Sequence, residues 1–196
     1  MKRFVIGAIF ALFPGFASAE GYYVGALYGS TSIDSGVDAV VGATLDEDDT
    51  GFAFVIGNEV DATVAVEGFY INFGEASLSG DNGDTFSIGG TAYQFTSTAT
   101  IESSATSMGV AGKLKFDMAE KLQGYVKGGF HWWESELTVA VATTSASTTA
   151  DGTDLLFGFG AEYDIGEKVA FIAGYDKYNL DDEDVTFVHG GIKLSF

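Results

Sequence analysis

The sequence predicts an all-β fold, an eight-stranded antiparallel up-and-down transmembrane β-barrel. Three observations predict it. Apolar residues alternate with small and charged ones at period two over most of the chain. The connections between the alternating segments are short and long in turn. The chain opens on a segment that reads as an export signal. The composition fits this reading. The 196 residues are 46% hydrophobic and carry a formal net charge of −19, with 27 Gly and no Cys. A mean hydropathy of +0.19 is too apolar for a disordered chain. The missing Cys excludes disulfide scaffolds, thiol nucleophiles and Cys-based zinc sites. The charge excludes nucleic acid as a partner, because little could neutralise phosphates.

Residues 1–19 carry the features of a secretory signal. Lys2 and Arg3 form a positive start, residues 4–13 are apolar, Pro14-Gly15 breaks the run, and Ala17-Ser18-Ala19 supplies small residues for cleavage. The apolar run is too short for a membrane-spanning helix, and no later run reaches about 20 apolar residues. Cleavage removes Lys2, Arg3 and Pro14 but no acid, so the barrel domain, 20–196, is more acidic still and has no Arg.

Strands are predicted at about 20–33, 50–58, 62–75, 103–117, 121–137, 152–164, 168–179 and 185–196. About 9–11 residues suffice for a tilted strand to cross a bilayer. One face of each is apolar: Val64, Val66, Gly68 and Tyr70; Met108, Val110, Gly112, Leu114 and Phe116; Phe157, Phe159, Ala161 and Tyr163; Val169, Phe171, Ala173 and Tyr175; and Val188, Gly190, Ile192, Leu194 and Phe196. The other face holds Glu67, Lys113, Lys115, Lys127, Glu162 and Lys193 among Gly, Ala and Ser. A soluble barrel would turn the charges outward; a membrane barrel turns the apolar face to lipid. Glycines on the charged face, Gly25, Gly29, Gly57, Gly109, Gly129, Gly158, Gly160 and Gly191, favour the membrane barrel. They leave room for long side chains in a narrow lumen and would only weaken a solvent face.

Short connections fall near Asn58, Asp117 and Asp164, and long ones at 34–49, 76–102 and 138–151. Thr143 starts a small-residue run that reads as a mobile loop. Because lipid offers the backbone no hydrogen bonds, the first strand must pair with the last. Trp132, Trp133, Tyr22, Tyr70, Tyr163 and Tyr175 suit aromatic girdles.

Spread over this whole frame are Tyr22-Tyr23-Val24-Gly25-Ala26-Leu27-Tyr28-Gly29, Val64-Ala65-Val66-Glu67-Gly68-Phe69-Tyr70, Gly112-Lys113-Leu114-Lys115-Phe116, Phe157-Gly158-Phe159-Gly160-Ala161-Glu162-Tyr163 and a terminal Ile192-Lys193-Leu194-Ser195-Phe196. In this ordered set the chain resembles the OmpA-like family (OmpA/OmpX-type) of small outer-membrane β-barrels, in their membrane domain only. The resemblance implies assembly by the barrel insertion machinery, with Phe196 as assembly signal. It also implies that Glu67, Lys113, Lys127 and Glu162 form a lumen charge network. One departure stands out: a seventh-strand Arg usual in the family corresponds to Ile172, and its neighbouring acid to Gly174.

These residues lead to an expected function. The chain is read as a structural outer-membrane protein of a Gram-negative envelope with acidic extracellular loops, monomeric and in contact with lipid and lipopolysaccharide. A narrow charge-gated pore, or an adhesin acting through the loops, is the alternative. Asp46-Glu47-Asp48-Asp49 and Asp181-Asp182-Glu183-Asp184 are candidates for divalent cations or simply a solvated acidic surface. No cofactor, transition-metal site or catalytic residue is expected, because His131 and His189 point inward and no Ser stands beside His189.

Overall fold

A computed structural model describes residues 21–181 and 183–196. The predicted signal peptide, residues 1–19, and Asp182 lie outside the described residues. Eight long strands form the wall: β1 (Tyr22–Asp34), β4 (Asp48–Glu59), β5 (Val64–Gly80), β8 (Ala99–Ala119), β9 (Leu122–Val141), β10 (Thr144–Asp164), β11 (Val169–Leu180) and β12 (Glu183–Ser195). Each pairs antiparallel with the next in that order. The ring closes through β1 and β12, from Tyr23↔Ser195 to Asp34↔Asp184. Closure leaves no sheet edge in lipid, as the bilayer requires.

Four short strands occupy the two long connections: β2 (Val37–Val41), β3 (Thr44–Asp46), β6 (Thr85–Ile88) and β7 (Thr91–Gln94). The sequence predicts loops at both places. β3 pairs with the outer part of β5, and β2, β6 and β7 form a separate three-stranded sheet. Gly89 and Gly90 turn β6 into β7, both at positive φ, as a two-residue hairpin turn needs. Leu78, Phe86 and Phe95 pack into a small apolar cluster beneath this sheet. The outer connections are therefore folded onto their own core.

The structure also differs from the sequence expectation at 138–151. That segment is no loop. β9 and β10 stay paired to Val141↔Thr144, and only Ala142-Thr143 turns. Residues 144–149 are strand, although every one of them is exposed. With water on both faces nothing selects an apolar period, so the alternation that marks a strand vanishes there.

The polarity of the wall inverts part-way along. On β12, Val188, Ile192 and Leu194 face outward, with His189 and Lys193 inside. Further toward the long-loop end, Val185 and Phe187 are fully buried inside and Thr186 faces out. β5 repeats the change: Val66 lies outside with Glu67 inside, then Asn72 outside with Ile71 and Phe73 inside. Lipid surrounds the first zone and water the second. Along β10 the outward apolar row runs from Leu155 through Phe157 and Phe159 to Tyr163, about the length a tilted strand needs to cross a bilayer. β8, β9 and β10 continue well past this row, so one side of the barrel rises as a wall outside the membrane.

At the opposite end the turns are short, the periplasmic pattern. Asp61 Oδ1 there accepts from Thr63 N at 2.7 Å, Thr63 Oγ1 at 2.8 Å and Val64 N at 2.9 Å. Those donors, the Thr63 backbone first, hold its carboxyl below the usual range. Inward Gly129 allows the wall to close tightly, because a Cβ there would meet Val110 O at 2.0 Å. Trp133 departs from the predicted girdle. It points inward at 8% exposure, and Nε1 donates to Asp154 Oδ2 at 2.7 Å. Two consecutive strand residues cannot both face lipid, and Trp132 takes the outward place.

Candidate functional site: the lumen charge network

Period two aims Glu67 on β5, Lys113 and Lys115 on β8, Lys127 on β9, Glu162 on β10 and Lys193 on β12 into the lumen. Lys113 Nζ bonds Glu67 Oε1 at 3.0 Å and also bonds Glu162 Oε1. Lys193 Nζ bonds Glu162 Oε2 and lies 3.3 Å from Glu59 Oε1, while Lys115 Nζ lies 3.0 Å from Glu59 Oε2. Tyr23 OH donates to Glu67 Oε1 at 2.7 Å. Lys113 also stands over the Tyr125 ring, 4.1 Å from its centroid. The result is a chain of alternating charges across the periplasmic half of the barrel. Burying these charges is tolerable only because each has an opposite partner and further hydrogen bonds.

Lys127 joins a different group. Its Nζ lies 2.8 Å from Asp176 Oδ2, and His189 Nε2 approaches the same oxygen at 3.2 Å, in ion-pair range but not aligned as a hydrogen bond. Three of the four predicted network residues are thus directly linked, and the fourth belongs to a separate Lys127–Asp176–His189 cluster. Asp176 lies on the inward row of β11 that also carries Ile172 and Gly174. The acid is present on that strand, displaced by two residues from Gly174. The sequence reading missed Tyr23, Glu59, Asp176 and Tyr125 as partners. Parity marks Tyr23, Tyr125 and Asp176 as inward, whereas Glu59 falls just past the predicted strand 50–58 and is inward only because β4 runs one residue further.

Above these charges the lumen is apolar. Phe73 and Tyr178 stack edge to face at 5.0 Å, Phe69 meets Tyr178 at 5.9 Å, and Phe187 stacks on His189 at 4.9 Å. Ile71, Val185 and Leu180 complete the layer. Beside Lys113 and Lys127 a cavity remains, lined by Tyr23, Leu27, Glu67 and Ile172 among others, with room for about one water molecule.

Ser107 Oγ lies 2.7 Å from His131 Nδ1, a pairing 24 residues apart in sequence. Both side chains are buried on the inward face, with the His131 ring 5.3 Å from Tyr178. Neither side chain lines the cavity beside Lys113 and Lys127. Among the described residues, no three His, Asp or Glu side chains converge to hold a metal ion. At the outer end, Asp49 Oδ2 accepts from Glu75 N at 2.8 Å. Burial, with Glu47 and Asp34 beside it, holds the Glu183 carboxyl above its ordinary range.

Phe196, at the chain end, faces outward beside the short turns, and its N donates to Tyr22 O at 2.9 Å.

The family model of the outer membrane protein beta-barrel domain matches residues 6–196. The chain belongs to that family. It is an outer-membrane β-barrel protein. No curated protein matches it. Among solved structures it is similar to Ail, the attachment invasion locus protein of Yersinia pestis. The identity is 17% and the TM-score 0.57, over 91% of this chain and 100% of that one. Ail in complex with the heparin analogue sucrose octasulfate gives 16% identity and a TM-score of 0.58, again over 91% and 100% of the two chains. Neisserial surface protein A gives 15% identity and a TM-score of 0.53, over 91% of this chain and 99% of that one. At these identities the likeness is one of fold.

Proposed function

We propose that this outer-membrane barrel is a closed, non-catalytic structural protein that anchors a folded acidic extension outside the cell. The observation that carries this reading is the double filling of the lumen, ion pairs in one half and packed aromatics in the other. A charge gate works by exchanging partners. Lys113 already bonds Glu67 and Glu162 together, and Lys127, the other cation beside Glu67, is engaged by Asp176. Refolded protein in a planar bilayer is expected to give no unitary conductance steps at any voltage. Regular steps that vanish on heat unfolding would replace this reading by the narrow pore.

A second reading, interaction through the outer end, is favoured by the raised strands and their charge. Lys177 is the single basic residue among the described residues there, and its Nζ lies 2.5 Å from Asp184 Oδ2. Such a surface repels polyanions, so it would not take a heparin-like ligand of the kind seated on Ail. It suits divalent cations bridging to lipopolysaccharide, held diffusely rather than in a formed site. In the membrane the barrel acts as a monomer, with lipid covering the outward rows.

Phe196 serves as the assembly signal read by the insertion machinery. Deleting it is expected to leave most of the exported chain unassembled in the periplasm, seen as loss of the heat-modifiable gel band from outer-membrane fractions. Unchanged assembly would reduce Phe196 to a lipid-facing ring.

A further inference from the structure

We infer that the outer end of the barrel carries an acid-closed latch, in which a proton held between Glu183 and Glu47 draws the β1–β4 connection onto the mouth of the lumen and its loss loosens that seam. Glu47 links β3 to β4 and ties the connection back to β1. Its backbone O accepts from Ile33 N at 2.9 Å. Its Oε1 accepts from Ser35 N at 3.0 Å and from Ser35 Oγ at 2.6 Å. β1 pairs with β12 as far as Ile33↔Val185 and Asp34↔Asp184. The next step of that register sets Ser35, with Glu47 bonded to it, opposite Glu183. Both glutamates thus stand at the seam where the ring closes.

Below them the lumen is apolar. Ile33, Leu180 and Val185 are buried there, and Glu183 shares the inward row of β12 with Val185 and Phe187. Glu183 is half-buried, so its charge is poorly hydrated on the lumen side. Above them Val37 and Leu45, from the same connection, pack against the cluster of Leu78, Phe86 and Phe95. The connection is therefore anchored in the outer core at its middle and rests on the barrel mouth at Glu47.

Charge makes this seam sensitive to protons. Among the described residues, the charged groups around it are acids with one exception. Asp34 stands on β1, Asp46 and Asp48 flank Glu47, and Asp181 and Asp184 lie on either side of Glu183. Asp154 of β10 accepts from Asp181 N at 3.3 Å. The exception is Lys177 on β11, and Asp184 Oδ2 already holds its Nζ at 2.5 Å. Neither Glu183 nor Glu47 has an ion pair among the described residues, and no three of these acids converge to hold a metal ion. One proton between two carboxylates removes their repulsion and supplies an O–H donor. Burial first, then Glu47 and Asp34, hold the Glu183 carboxyl above its ordinary range. The closed seam therefore binds a proton that the open seam releases. Linkage fixes the sign: closure is fully favoured below the ordinary glutamate value of about 4.3, and the advantage is lost as pH rises through the raised value.

This goes beyond the closed-barrel reading, and the two fail separately, because the latch sits above the filled lumen and a silent barrel could lack it. The test uses the refolded protein in lipid nanodiscs, with EDTA present so that no divalent cation takes the place of the proton. Amide exchange is followed from about pH 7.5 to about pH 5, as protection corrected for the intrinsic pH dependence of exchange. The expected result is a several-fold gain in protection on acidification at Ile33 and Ser35, whose amides bond Glu47. Thr63 N, bonded to Asp61 at the opposite end, should not change, because that carboxyl is held below its usual range and stays ionised. Glu183→Gln imitates the neutral form and should keep Ile33 and Ser35 at the acid level of protection throughout. Glu47→Gln retains an acceptor for Ser35 and should also flatten the profile. The heat-modifiable band shows that each variant is folded. Protection that does not change with pH in the native chain would overturn the proposal. So would an undiminished acid gain in Glu183→Gln, which would assign the titration to another acid of the outer end.

Discussion

Lys113→Met is expected to destabilise the folded barrel by about 3–5 kcal/mol, the cost of leaving a buried charge without its partner. The substitution keeps the length of the side chain and removes its ammonium. Glu162 retains Lys193, but Glu67 keeps only the Tyr23 hydroxyl as a hydrogen-bond partner, with Lys127 nearby but held by Asp176. The measurement is urea unfolding in detergent, followed by the loss of the heat-modifiable band. A double variant, Lys113→Met with Glu67→Gln, separates the lost pair from lost packing. It should recover a large part of the deficit, because no unpaired carboxylate remains at that point. If the double variant is as weak as the single one, the two groups are not coupled and the chain of charges does not hold the barrel together.

Phe73→Ala is expected to cost a similar amount, about 3–5 kcal/mol, the usual penalty for emptying a buried Phe site. The ring is fully buried, stacked on Tyr178, in the zone where the outside of the barrel meets water. There the full hydrophobic effect acts, as in the core of a soluble barrel. The comparison is Phe171→Ala, whose ring faces outward at 51% exposure. That ring leaves lipid contacts rather than a packed interior, so its loss should be clearly smaller. Equal losses in the two variants would mean that the outer apolar layer contributes nothing special. The reverse order would place lipid, rather than water, around the outer zone.

Much of this architecture was legible in the residues. The rows from Met108 to Phe116 and from Val188 to Phe196 face outward as their alternation required, and closure of β1 on β12 followed from the solvent. Glu67, Lys113 and Glu162 lie together because inward parity on neighbouring heights leaves them few other places. Three features escaped. Residues 144–149 are strand without an apolar period, since both faces are wet. The outer apolar layer of Ile71, Phe73, Val185 and Phe187 sits on the inward rows, so its residues look like further lipid-facing positions until the depth is known. Trp133 stands beside Trp132, and composition cannot say which of two adjacent rings faces lipid.

The sequence by itself determined that the strands alternate, that eight of them suffice to close, and which residues share a face. These are local properties, set by the two-residue repeat of the extended chain and by the lack of hydrogen-bond partners in lipid. Only the tertiary structure decided which acid meets which lysine, where the bilayer ends along each strand, and that β9 and β10 stay paired well beyond it. Those depend on how far each strand is shifted against its neighbour, and a shift is a relation between distant segments that no single segment encodes.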